Sequence, residues 1–332
     1  MEMRFAIHSS ARTIAEIIHR IRRAEELGYE GVFLADSQMR SLDPFQVLAV
    51  AARETRSILL GTAVTNMVYR DPTVLASSFA TLNEVSNGRA IVGLGTGDGP
   101  VYSQGRKATS LARFEEGLTA IRELFQGKPL NVPSGKLPLG VGKLPVPIYV
   151  SMEGPRGLQI AGRLADGIIF GSGFDPRVLQ WARERIAAGA REAGRSLSDI
   201  DIMAAGMICV DKDGERARAT VRRRLANRAH HNFRFTLETV PPEELAGVKK
   251  FMESFDDSKV KPIEERIDPN LVPDYLVRRF SIAGTPEECV ERVKALNREG
   301  IRRVMVTPPD SIYDEVMEAW GKEVLPHFQS PR

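Results

Sequence analysis

The chain has 332 residues, of which 42% are apolar and 27% are charged, an ordinary composition for a globular protein. Its net charge of only +3 predicts no general affinity for nucleic acid or for a membrane surface. The two cysteines, Cys209 and Cys289, are too few and too far apart for a disulfide framework or a zinc site, and no metal site is expected.

The first predicted strand begins within three residues of Met1, which leaves no room for a signal peptide. The apolar runs are far shorter than the roughly 20 residues that a membrane span requires. We therefore expect a cytoplasmic protein that does not bind membranes.

Eight short apolar runs alternate with amphipathic helical stretches along the chain. The runs predicted as strands are residues 4–7, 31–35, 58–64, 90–94, 147–150, 167–170, 202–210 and 303–306. Strands separated by helical patterns are typical of parallel βαβ units and of the α/β class. Eight such units favour a closed (β/α)8 TIM barrel over an open sheet, and in that fold the carboxyl ends of the strands carry the chemistry.

Capping residues predict where several helices begin. Thr13 and Glu16 have the spacing of a capping box, and residues 285–288 repeat that pattern around a proline. Three Asp-Pro pairs place a carboxylate at the N-cap and proline at the first helical position, namely residues 43–44, 71–72 and 175–176.

Two intervals are longer than one helix requires, so insertions are predicted after strands four and seven. Residues 128–146 are rich in proline and glycine and are predicted to be a surface excursion. The segment at about 211–275 is predicted to lie over the barrel mouth, with helices at about 213–230 and 243–256. Because no flexible linker bounds this segment, a single domain over 1–332 is favoured over a separate second domain.

The most glycine-dense stretch, residues 93–99, follows the fourth predicted strand. A dinucleotide fingerprint needs glycine at its sixth position, but Asp98 is found there and Pro100 follows, so a Rossmann site is disfavoured. Small residues at a barrel strand end would instead let the backbone lie close to a flat ligand. Asp98 would then act at the rim of that ligand as an acid, base or acceptor, or else stabilise an Asx-type turn.

Residues 153–157 join the fifth strand to the next helix. Free N–H groups at a helix N-terminus bind phosphate, and Arg156 adds positive charge. Residues 171–173, at the end of strand six, form a second small loop rich in donors. Together the two loops indicate a phosphorylated cofactor; the alternative is an ordinary tight βα turn.

Two more residues end strands at the predicted mouth. Asp36 ends strand two, where its carboxylate faces the mouth, caps a helix or forms a salt bridge. His8 ends strand one, where it faces a ligand or is satisfied by hydrogen bonds within the protein. The adjacent His230 and His231 are predicted to point apart on a helix, and the basic run 222–224 is predicted to be a solvated helix face.

Taken in chain order, these residues resemble the bacterial luciferase-like monooxygenase superfamily of flavin and deazaflavin barrel enzymes. The likeness is greatest to its branch of methylenetetrahydromethanopterin reductases, which depend on the deazaflavin coenzyme F420. The segments that carry the resemblance span nearly the whole chain: residues 60–66, 70–72, 80–90, 93–98, 154–156, 165–167 and 280–287.

The resemblance implies where such a cofactor would bind. In the superfamily, strand three ends in a bulge with a non-proline cis peptide behind the central ring of the cofactor, and here that bond is Ala63–Val64. The positions that match the ring side are Asp36, Thr65, Asn66, Gly95, Thr96, Gly97 and Asp98. The positions that match the phosphate turn are Ser151, Glu153, Gly154 and Pro155, beside Gly171 and Ser172 of the next loop.

Three positions depart from the family pattern. Met67 stands where the family usually has proline, and Ser37 stands where many deazaflavin members have histidine. His8 stands where the methanogen reductases carry a glutamate proposed as proton donor. A histidine titrates near neutrality, so His8 and Asp98 are predicted to handle protons, with Asp36 anchoring the polar edge of the catalytic site.

The function implied by the resemblance is hydride transfer between coenzyme F420 and a carbon or imine centre of a small organic substrate, in a homodimer. One alternative is an FMN-dependent monooxygenase that uses reduced flavin, supplied by a separate reductase, and O2. Deazaflavin lacks the ring nitrogen that engages oxygen, so cofactor identity distinguishes these two. The other alternative is a non-catalytic flavin-binding relative, which the intact turns at 95–98 and 154–155 disfavour.

Overall fold

The computed structural model describes residues 3–142, 144–256 and 266–329. Eight parallel strands in this part of the chain close into a barrel in the order β1-β2-β3-β5-β8-β9-β10-β12, and β12 pairs back with β1. The predicted (β/α)8 barrel is therefore confirmed. The strands are β1 Arg4–Ser9, β2 Gly31–Leu34, β3 Leu59–Thr62, β4 Thr65–Asn66, β5 Ala90–Gly95, β6 Leu130–Val132, β7 Gly135–Leu137, β8 Ile148–Val150, β9 Gly167–Phe170, β10 Asp201–Val210, β11 Ser281–Gly284 and β12 Arg303–Thr307.

Helices surround the barrel and cover its outer face. They are α1 Ile14–Leu27, α2 Pro44–Glu54, α3 Pro72–Val85, α4 Gly99–Ser103, α5 Leu111–Phe125, α6 Pro155–Leu164, α7 Pro176–Glu192, α8 Gly214–Thr236, α9 Pro242–Ser254, α10 Asp274–Phe280, α11 Pro286–Arg298 and α12 Tyr313–Ala319. Within the described ranges, no helix combines the length and apolar character needed to cross a membrane.

The predicted caps begin the helices as expected, with one difference. The carboxylates of Asp43, Asp71 and Asp175 accept hydrogen bonds from the first backbone N–H groups of α2, α3 and α7. Thr285 and Glu288 form a complete capping box at α11. At α1 only half of the box forms, because the Glu16 side chain accepts from the backbone N–H of Arg12 instead of that of Thr13.

Two strands and one helix of the barrel and its mouth differ from the sequence prediction. The third predicted strand is interrupted after Thr62 and continues as β4, which pairs with β5. An additional strand, β11, pairs in parallel with the carboxyl half of β10, from Met207 with Ser281 to Val210 with Gly284. The basic helix α8 is also longer than predicted and extends to Thr236.

The two predicted insertions contain regular structure. Residues 128–146 include the antiparallel hairpin of β6 and β7. In the second segment α8 packs against β10, β11 and α10, while residues 257–265 of that segment lie outside the described ranges. The limits of the 211–275 insertion and the single-domain organisation stay predictions.

The basic run on α8 is only partly a solvated face, which corrects the sequence prediction. Arg223 is exposed, but Arg222 donates to Val272 O and pairs with Asp274, and Arg224 pairs with Asp310 at the end of the barrel. The run therefore ties α8 to its neighbours, because three consecutive residues of a helix point in three different directions.

Buried side chains of the described residues fill the barrel interior below its mouth. The cluster inside the barrel consists of Ala6, Phe33, Ile91, Tyr149, Ile169, Met203 and Met305. A larger apolar layer lies between the strands and the surrounding helices. Gly167 makes room for this interior packing, because a β-carbon there would lie 2.5 Å from the Tyr149 ring.

A cluster of charges closes the opposite end of the barrel. The Arg303 guanidinium donates to both carboxylate oxygens of Glu30 and also bonds to Asp201 and the Tyr149 hydroxyl. The Tyr149 hydroxyl donates to Asp201 at 2.6 Å. Arg303 is only 8% exposed, so its charge is compensated by these partners and not by water.

We expect Arg303→Met to lower the free energy of unfolding by about 3 kcal/mol, because removing one partner of a buried ion pair leaves its carboxylates uncompensated. Urea denaturation followed by circular dichroism measures this change. Arg4→Met is the matched control: Arg4 pairs with the same Glu30 but its side chain is 47% exposed. Its expected cost is below about 1 kcal/mol, and equal costs for the two variants would contradict the assignment.

Candidate active site at the barrel mouth

The carboxyl ends of the barrel strands open into a cavity of about 960 Å³. His8 and every residue predicted to bind the cofactor line this cavity, with the exception of Ser172. Ser172 is fully buried behind the wall, where its Oγ accepts a hydrogen bond from Asn232 Nδ2 at 2.7 Å. The fold thus brings together residues that are widely separated in the sequence, as expected if they form one site.

The floor of the cavity is the bulge at the end of β3. The expected cis peptide between Ala63 and Val64 is present. The bulge lies directly against β5: a β-carbon at position 93 would be 1.6 Å from Thr62 O, and one at position 95 would be 2.8 Å from Val64 Cγ2. These two glycines therefore let the strands approach one another and keep the floor flat.

Asp36 is held rigidly on one side of this floor. The residue is 5% exposed, and its carboxylate accepts hydrogen bonds from Thr65 Oγ1 at 2.6 Å, Gln38 Nε2 at 2.6 Å and Arg70 Nε at 3.1 Å. These bonds join the loop after β2 to strand β4, which follows the bulge, and to the loop after β4. Because its oxygens are engaged, Asp36 is better placed to anchor the site than to exchange protons.

His8 is half-buried at the end of β1 and lines the cavity. Its imidazole makes no hydrogen bond with the residues that the structure describes, so it is available to a ligand. Burial lowers the pKa of His8 from its ordinary value of 6.5, and the nearby negative charge of Asp310 opposes this shift. The neutral imidazole is therefore favoured near pH 7, and it can accept a proton or donate its single N–H.

Asp98 lies at the rim, at the N-cap position of α4, but its side chain does not cap that helix. The alternative role as a turn stabiliser is thus not supported by the hydrogen bonds. The side chain is 56% exposed, and Asp98 Oδ1 lies 3.9 Å from His231 Nδ1. Its carboxylate is accordingly open to the cavity.

The turn before α6 has the features expected of an anion site. Gly154 is the N-cap and provides no side-chain capping bond, and Pro155 occupies the first helical position. Arg156 is exposed on the cavity wall, and its side chain makes no hydrogen bond or ion pair within the described ranges. The uncapped N–H groups and this guanidinium can therefore stabilise a negative charge.

One face of α8, a helix of the segment predicted to lie over the mouth, forms the opposite wall, but the residues of that face were not predicted to line the cavity. Leu225, Arg228, His231 and Phe235 all line the cavity and lie three or four residues apart, the spacing of a single helical face. The expectation that His230 and His231 point apart is correct, because His230 stacks on Phe255. The regular spacing of these four residues is visible in the sequence, but only the fold shows which face of α8 meets the barrel.

Among the residues that the structure describes, no group of three or more histidine, cysteine, aspartate or glutamate side chains could hold a metal ion. The charged residues that line the cavity instead form ion pairs, as Arg228 does with Glu153, or are open to a ligand, as Asp98 and Arg156 are.

Comparison with known proteins identifies related chains over the whole length. The family model described as "Luciferase-like monooxygenase" matches residues 3–303. A 5,10-methylenetetrahydromethanopterin reductase of Methanopyrus kandleri is 30% identical over 95% of each chain. An F420-dependent glucose-6-phosphate dehydrogenase of Nakamurella multipartita is 27% identical over 99% of this chain and 97% of its own. The solved coenzyme F420 dependent tetrahydromethanopterin reductase of Methanopyrus kandleri superposes with a TM-score of 0.75 at 26% identity, covering 99% of this chain and 100% of that one.

The lowered pKa of His8 predicts how stability depends on pH. Below about pH 6.5 the unfolded chain takes up a proton that folded His8 does not, so this contribution to stability is present above that pH and lost as pH falls. We expect the unfolding free energy to fall less between about pH 7.5 and about pH 5 in His8→Gln than in the parent. Urea denaturation of both proteins at the two pH values measures this difference, and identical pH dependences would contradict it.

Proposed function

The chain belongs to the luciferase-like monooxygenase family, and on that premise we propose that it is an oxidoreductase that uses coenzyme F420 to transfer a hydride to or from a small organic substrate. The observation that carries the cofactor proposal is the likeness, over at least 95% of each chain, to a methylenetetrahydromethanopterin reductase and an F420-dependent dehydrogenase. The residues that line the cavity fit this proposal.

The bulge and the strand end after β5 are suited to a flat ring system. Gly95 leaves no side chain on the floor beside Val64, and Asp36 with its three donors fixes the adjoining loops. When bound there, a deazaflavin supplies the carbon that accepts or donates a hydride, and the protein supplies binding and orientation.

His8 and Asp98 are the groups available for proton handling. Neither side chain makes a hydrogen bond within the described ranges, and both line the cavity. A neutral His8 would accept the proton of a substrate hydroxyl during oxidation, and in the reverse direction the protonated imidazolium of His8 would return that proton to the reduced product. Asp98, at the more exposed rim, would exchange protons with solvent.

The N-terminus of α6 would hold the phosphate group of the cofactor. The first backbone N–H groups of α6 and the Arg156 guanidinium lie at this turn. No described side chain forms a hydrogen bond or ion pair with them. The helix dipole adds favourable potential for an anion at this position.

The second candidate is an FMN-dependent monooxygenase, which the description of the matching family favours. Its cavity would need the same floor and phosphate turn, so the residues alone do not separate the two functions. The affinity for each cofactor does.

We expect the purified protein to bind coenzyme F420 more tightly than FMN, because a methylenetetrahydromethanopterin reductase and an F420-dependent dehydrogenase resemble this chain along nearly its whole length. Equilibrium fluorescence titration with each cofactor, under identical salt and pH, measures both dissociation constants. A clear preference for FMN would reject the F420 proposal and support the monooxygenase.

We expect Gly154→Glu to weaken F420 binding by at least about tenfold, because a carboxylate at this turn occupies the phosphate position and repels the anion. Gly154→Ala is the matched control: its β-carbon would lie 3.3 Å from the half-exposed Phe235 ring, which can shift. The alanine variant should bind F420 nearly as the parent does. If the glutamate variant also binds like the parent, the phosphate lies elsewhere.

A further inference from the structure

Glu153 introduces a negative charge where the proposed function needs an anion to bind. It directly precedes Gly154, the N-cap of α6, it lines the cavity, and its side chain is only 9% exposed. An uncompensated carboxylate in this position would repel a phosphate group, and it would do so strongly because little water screens it.

Both oxygens of this carboxylate are held by α8. Arg228 Nη2 forms an ion pair with Glu153 Oε1, and Asn232 Nδ2 donates to Glu153 Oε2 at 3.1 Å. The third neighbour on α8, His231, has its Nε2 3.7 Å from Oε2. The carboxylate is therefore directed to α8, and it does not cap α6, whose N-cap has no side-chain hydrogen bond.

The groups that hold Glu153 are themselves fixed by the neighbouring loop and by buried partners. Arg228 Nε donates to Gly171 O at 3.1 Å, and a β-carbon at position 171 would lie 1.7 Å from Arg228 Nη2. Asn232 is fully buried, and its Oδ1 accepts a hydrogen bond from Thr236 Oγ1 at 2.6 Å. The guanidinium of Arg228 thus occupies one defined place, between the Glu153 turn and Gly171.

We propose that Arg228 is a positioning residue for the phosphate turn and that it acts through Glu153. It neutralises the Glu153 carboxylate and holds it against α8, which leaves the first N–H groups of α6 and the Arg156 guanidinium to the anion. This inference rests on the proposed function, since it requires that a phosphorylated cofactor binds at this turn.

A direct contact between Arg228 and the phosphate is the competing explanation, and a double-mutant cycle separates the two. The variants are Arg228→Gln, Glu153→Gln and the double substitution. The measured quantity is the preference for phosphate, defined as the dissociation constant of the phosphate-free deazariboflavin core divided by that of F420. Arg228 tolerates substitution because its side chain is 43% exposed.

Arg228→Gln should lower this preference by at least about tenfold, because Glu153 is left unpaired beside the anion. Glu153→Gln should keep or increase it, because the repelling charge is absent. In the Glu153→Gln background, adding Arg228→Gln should change the preference by less than about twofold. Arg224→Gln is the matched control: Arg224 lies one turn away on α8, pairs with Asp310 and does not line the cavity, so the preference should not change.

Equal losses from Arg228→Gln in both backgrounds would overturn the inference and assign Arg228 to the phosphate itself. No loss in either background would overturn it as well. Failure of the proposed function has a different signature: the parent itself would show no preference for F420 over the phosphate-free core.

Discussion

The mouth of this barrel depends on the close approach of the β3 bulge to β5. Thr62 O lies where a β-carbon at position 93 would be, and Thr62 Oγ1 donates to Gly93 O at 2.7 Å. Any side chain at position 93 would therefore separate the two strands. The flat floor, the direction of Thr65 towards Asp36 and the open space above Gly95 all follow from this contact, so the glycine-rich stretch serves strand packing as well as ligand binding.

The carboxylates around the cavity divide into two groups according to their partners. Asp36 and Glu153 are nearly buried, and each accepts bonds from donors on other segments, so they tie loops together. Asp98 has no hydrogen-bonded partner among the described residues and is half-exposed. Buried carboxylates require such compensation, whereas exposed ones remain free for chemistry. The same reasoning singles out His8, whose imidazole lines the cavity and has no hydrogen-bonding partner among the described residues.

The two ends of the barrel use charge differently. At the closed end, Arg303 is surrounded by Glu30, Asp201 and Tyr149, so its donors are directed to the protein. At the mouth, Arg156 remains without a described partner. Phe33, Tyr149 and Met305 fill the interior of the barrel, and the cavity described here lies at the mouth, where Arg156 is found.

The sequence alone determined the barrel, because alternating strand and helix patterns and caps such as Asp43 and Thr285 are local features. It also placed His8, Asp36 and Asp98 at strand ends, and in a parallel barrel those ends meet at one mouth. It did not show β11, whose four residues gain their conformation from pairing with β10. Only the tertiary structure decided that Arg228, His231 and Phe235 face the cavity, because helical periodicity identifies a face of α8 but not the surface it packs against, which depends on contacts distant in sequence.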